Sequence, residues 1–134
     1  MIKYLALTAA LSIVASVAHA ASPWPSSAVG KWTGGANEDS VTLTITSQAT
    51  TGDCRQISGT LVDNTEGVSS DILGFYCPAS GRIAFRRTAT GATAAFQNYT
   101  ASLSMKGRTE YMGGVFSENA TAVNVGEYAF YAAK

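Results

Sequence analysis

From Val29 onward, apolar and polar side chains alternate with a period of two. Val41, Leu43 and Ile45 alternate with Thr42, Thr44 and Thr46, the pattern of a half-buried strand rich in β-branched residues. Comparable runs occur at 57–61, 72–76 and 82–87, and again at 95–105, 110–116 and 125–132. A first strand around 29–34 brings the expected number to eight. Turn-forming residues separate them: Thr51-Gly52-Asp53, Asn64 to Gly67, Ser80-Gly81, Lys106-Gly107 and Glu118-Asn119,. Beyond residue 20 nothing keeps a 3.6-residue apolar period, so no long helix is expected. Short strands at regular spacing predict an all-β protein, an eight-stranded antiparallel up-and-down barrel whose closure leaves no exposed edge. Gly59, Gly74, Gly113 and Gly114 fall inside predicted strands, which implies strong bending or the close approach of a neighbour.

The segment before this pattern has a different character. Lys3 gives a positive start, 5–17 is an apolar run, and Ala18-His19-Ala20 supplies a small-x-small cleavage site. This is the layout of a secretory signal peptide, too short to span a bilayer as a helix. The expected organisation is a signal peptide at 1–20, an irregular leader at 21–27 and a single barrel domain at 28–134. Export to the periplasm or the cell exterior follows. His19 is the only histidine, and cleavage removes it. Without imidazole the usual general base and the commonest metal ligand are missing. No Ser-x-x-Lys pair replaces it, and the adjacent Glu38 and Asp39 read as solvated turn residues. The expectation is a protein that is not an enzyme and needs no metal and no cofactor.

About 114 residues remain after cleavage, with eight basic and nine acidic groups. A charge near neutrality argues against nucleic acid or an anionic membrane surface as partner. Cys54 and Cys77 are the only cysteines, and an even pair in an exported chain reads as a disulfide. They stand at the start of the third predicted strand and the end of the fourth, which a hairpin brings together.

Arg82, Arg86 and Arg87 form the densest basic group. Alternation puts Arg82 and Arg86 on one face and Arg87 on the other, with Ile83 and Phe85. An inward Arg87 needs a partner, because an unpaired buried charge is costly; Glu110 and Glu127 are the candidates, and the role is either a structural ion pair or an anion site. Gln97 and Tyr99 share a face with Ala101 and Leu103. The interior of an eight-stranded barrel holds side chains or one small ligand, so the candidate ligand-binding residues are Tyr76, Arg87, Gln97, Tyr99, Tyr111 and Tyr128.

Val29-Gly30-Lys31-Trp32-Thr33, a Gly-x-Trp opening the first strand, resembles the start of the calycin barrels: lipocalins, fatty-acid-binding proteins and avidins. The order of strands that follows, with Ile57-Ser58-Gly59-Thr60-Leu61 third and Leu73-Gly74-Phe75-Tyr76 fourth, is similar to the avidin/streptavidin branch. The resemblance implies a barrel plugged at one end by Trp32 and a small-ligand site inside it. Avidins surround biotin with tryptophans from the middle and late strands, whereas Trp24 and Trp32 are both N-terminal here and the late strands carry Tyr and Phe. Two partners remain open: a small molecule, or an extracellular protein, the chain then being a protein-binding module such as a secreted hydrolase inhibitor or a surface antigen. The residues do not indicate an oligomeric state.

Overall fold

The computed structural model describes residues 21–88, 96–119 and 126–134; the expected signal peptide lies outside them. Eight strands follow in order: β1 (Gly30–Ala36), β2 (Asp39–Gln48), β3 (Arg55–Asp63), β4 (Val68–Cys77), β5 (Arg82–Thr88), β6 (Phe96–Lys106), β7 (Thr109–Asn119) and β8 (Glu127–Ala133). Each pairs antiparallel with the next, and β8 returns to β1 from Thr33↔Ala133 to Ala36↔Phe130, closing the barrel. Every predicted strand is present. Glu118-Asn119, read as a turn, instead ends β7. The turn read at Glu38-Asp39 lies one residue earlier, at Asn37-Glu38, where Ala36 pairs directly with Asp39 and Asn37 takes φ 55°. Asparagine tolerates the left-handed region that a two-residue hairpin demands.

The meander gives the barrel two unlike ends. Turns 37–38 and 64–67 lie at one end, the mouth. The leader and the turns at 49–54, 78–81 and 107–108 lie at the other, the floor. Strand alternation then sorts the interior. Trp32, Ile57, Tyr76, Ile83 and Met112 fill the floor, and all are essentially inaccessible to solvent. Above them Phe85, Tyr99, Phe116 and Phe130 form an aromatic cluster, with Phe85 stacked on Tyr99 at 4.7 Å and Phe130 edge-on to Tyr99 at 5.1 Å. Such pairs add roughly 0.5–1.5 kcal/mol each beyond their buried area.

The strand glycines have a specific cause. A Cβ on Gly59 would overlap the Thr44 carbonyl, and one on Gly74 the Ala84 carbonyl. Both face inward on strands that coil so tightly that the neighbouring backbone occupies the side-chain position. Gly113 meets nothing within 4 Å and has no such constraint.

The leader is irregular, as expected, but it is firmly attached. The Pro23 carbonyl accepts from Met105 N at 2.9 Å, Gln48 Nε2 donates to the Ser26 carbonyl, and Ala28 N donates to Gln48 Oε1. Trp24, which the sequence places in a leader without partners, is part-buried: its Nε1 donates to the Pro78 carbonyl at 2.7 Å, and its ring lies over Gly81. Trp32 lies deeper, fully buried, with Nε1 donating to the Ala28 carbonyl at 2.9 Å. Lys134 Nζ sits 5.1 Å above its ring and pairs with Glu110. Cys54 and Cys77 are disulfide-bonded with Cα atoms 4.0 Å apart, beside the Arg55↔Tyr76 pair that begins the β3–β4 ladder. No helix among the described residues is long and apolar enough to cross a membrane.

Candidate functional site

At the mouth the inward positions of five strands turn polar together. Ser70 on β4, Arg87 on β5, Gln97 on β6, Glu118 on β7 and Asp63 on β3 all follow the inward parity of their strands. They stand above the aromatic cluster, and all but Ser70 line a cavity of about 390 Å³ that reaches Asn37, Phe116 and Tyr128. Its base is aromatic and its wall is charged. Phe116 stacks on Tyr99 at 5.0 Å and lies tilted against Tyr128 at 5.2 Å.

Hydrogen-bond chemistry fixes the wall. Arg87 Nε donates to Ser70 Oγ at 3.1 Å and Nη1 to Gln97 Oε1 at 3.2 Å. Tyr99 Oη donates to the same Gln97 oxygen at 2.8 Å, and Gln97 Nε2 donates to Glu118 Oε1 at 3.3 Å. A guanidinium has only donors and a carboxylate only acceptors, so the Gln97 amide has one orientation that satisfies both. Asp63, 6 % exposed, takes Thr65 N and Glu66 N on Oδ1 at 2.9 and 3.0 Å. That Asx-type turn builds the β3–β4 hairpin.

Burial pushes the Tyr99 phenol up to about 12; the Glu118 and Asp63 charges add to this, and Arg87 opposes it. Tyr99 therefore stays a neutral donor and holds Gln97 in place at any physiological pH. Tyr76 is likewise raised to about 12, by burial first and Glu110 second. A tyrosine in the unfolded chain ionises near 10, so the unfolded state releases these protons first. The stability from both phenols is complete below pH 10 and is lost as pH rises towards 12. Urea midpoints should fall steeply over that interval, and Tyr76→Phe and Tyr99→Phe should each flatten the fall. An unchanged slope in both variants would contradict the assignment.

Four of the six expected ligand residues, Arg87, Gln97, Tyr99 and Tyr128, meet at the mouth. Two do not. Tyr76 faces inward but near the floor, fully buried, with its hydroxyl donating to the Pro25 carbonyl; it fastens the leader. Tyr111 has the outward parity of β7 and is 41 % exposed on the outer wall. The expected partners of Arg87 are also corrected. Glu110 is at the floor, paired with Lys134, and Glu127 points outward on β8. Arg87 bonds Ser70 and Gln97 instead, and the inward groups at the mouth that the sequence reading missed are Asp63, Ser70 and Glu118. Each stands at a strand end, where a polar residue looks like turn punctuation; counting parity onward from Leu61, Ile72 and Phe116 is the signal that finds them.

Among the described residues no three acidic, cysteine or histidine side chains converge to hold a metal ion. No protein-family model, curated protein or solved structure matches the chain.

Proposed function

We propose that this is an exported, non-enzymatic binding protein, a calycin-like barrel that takes one small polar ligand at its mouth. The observation that carries the reading is the cavity of about 390 Å³ walled by Arg87, Gln97, Glu118 and Asp63. Small-molecule sites have volumes of about 300–1,000 Å³ and orient the ligand with a few placed polar groups. Trp32 plugs the floor, and the cavity lies at the opposite end of the barrel. The disulfide and the signal-like segment at 1–20 support export, since disulfides persist in oxidising compartments. The walls differ from the tryptophan cage implied by the avidin resemblance, because Trp24 and Trp32 both belong to the floor. Biotin is accordingly not the proposed ligand. Native mass spectrometry of the mature protein is the test, as it reports a retained ligand and the oligomeric state together.

A second reading rests on a different surface. Leu73 and Phe75 are 57 % and 53 % exposed on the outer face of β4, where with Thr60, Asp71 and Arg86 they line an open groove of about 750 Å³. An exposed apolar pair of this kind suits contact with a protein partner.

A further inference from the structure

The charges at the mouth specify the ligand more narrowly. Among the described residues, Asp39, Asp63, Glu66 and Glu118 border the cavity together with a single cation, Arg87. A lone guanidinium among four carboxylates would be expected to pair with one of them, since an ion pair offsets the cost of burial. It does not do so: among the described residues Arg87 donates to neutral acceptors, Ser70 and Gln97, and no ion pair joins it to Asp63 or Glu118. The Gln97 amide lies between guanidinium and carboxylate, accepting from one and donating to the other. Tyr99, itself buried and neutral, holds the amide in that position. The result is a fixed spacer that keeps opposite charges apart on one wall. Asp63 adds a second carboxylate, this one buried, whose Oδ1 is committed to the backbone of Thr65 and Glu66.

We infer that the ligand is a small zwitterion carrying an ammonium and a carboxylate. The carboxylate is received by Arg87, and the ammonium by Glu118 and Asp63. An anion alone would meet the excess of negative charge at the rim; a cation alone would leave Arg87 unanswered. Guanidinium suits a carboxylate because its N–H groups match the two oxygens in one plane. This inference rests on the reading of the mouth as a small-ligand site.

Isothermal titration of the mature protein with a matched series separates the possibilities: 5-aminopentanoate carries both charges, pentylamine only the cation and pentanoate only the anion. Glycine and L-arginine extend the series to α-amino acids, where the two charges lie closer together. At least one zwitterion should bind ten-fold or more tightly than either singly charged analogue. Arg87→Gln should reduce its affinity to that of the amine alone, and Glu118→Gln to that of the acid alone. Glu118 is only half-buried, so its variant keeps the fold even where an Asp63 variant would lose its turn. Equal binding of pentylamine or pentanoate, or undiminished zwitterion binding by Arg87→Gln, overturns the zwitterion assignment. If a retained natural ligand turns out to be neutral or singly charged yet is lost in Arg87→Gln, the mouth is a ligand site and only the inferred class is wrong. If no zwitterion binds and no ligand is retained, both readings fall.

Discussion

Trp32→Ala is expected to destabilise the protein by about 3–5 kcal/mol, the usual cost of truncating a fully buried tryptophan. The indole is inaccessible to solvent, and its Nε1 satisfies the Ala28 carbonyl. Removal opens a cavity at the floor, frees a buried acceptor and takes away the ring beneath Lys134. Lys134 also bonds the Val29 carbonyl and pairs with Glu110, so the junction of β1, β7 and β8 loosens with it. Trp24→Ala gives the scale for comparison. That ring is part-buried, with one hydrogen bond to Pro78 and packing over Gly81. Its loss should cost about 1–3 kcal/mol, more than the roughly ±0.5 kcal/mol of a surface change. Urea titrations of both variants, followed by far-UV circular dichroism, give the two values directly. Equal costs would mean that Trp32 is not the plug of the floor.

Replacing both cysteines by serine is the second large effect. Cys54 and Cys77 close a loop with a sequence separation of 23, which in the chain-entropy model corresponds to roughly 3 kcal/mol through restriction of the unfolded chain. The bridge joins positions that β3 and β4 already hold opposite each other, so the folded barrel has little reason to change. The melting temperature should fall by on the order of 10–15 °C for a domain of this size, while the near-UV spectrum of the folded state is kept. An unchanged melting temperature, or two free thiols in non-reduced protein of periplasmic origin, would contradict the structural role.

Much of the fold could be read from residue alternation, and the reasons are local. Val41, Leu43 and Ile45 pair apolar side chains with threonines, so parity and strand type coincide. The cysteines flank one hairpin, and hairpin geometry brings them together. Tyr111 shows where this fails: it sits beside Met112, both are apolar, and alternation alone does not say which faces inward. Met112 is buried and Tyr111 is not. Tyr76 faces the interior but near the floor, which side-chain parity does not reveal because it says nothing about height along the barrel. Height comes from strand direction: β4 runs from mouth to floor, so its last residues meet the leader. Trp24 was invisible for another reason. A Pro-rich leader has no periodicity, and its docking depends on Pro78 and Met105, which are distant in sequence. The mouth was half legible, through the inward Arg87, Gln97 and Tyr99. Its carboxylates were not, because acids at strand ends resemble ordinary solvated turns.

Native mass spectrometry of the mature protein, wild type beside Arg87→Gln, tests the central claim most directly. The wild-type spectrum should show a second species heavier by the mass of one small molecule, released by mild collisional activation, and the variant spectrum should lack it. A wild-type protein that carries no small molecule, or an identical adduct on both proteins, would contradict a ligand site at the barrel mouth.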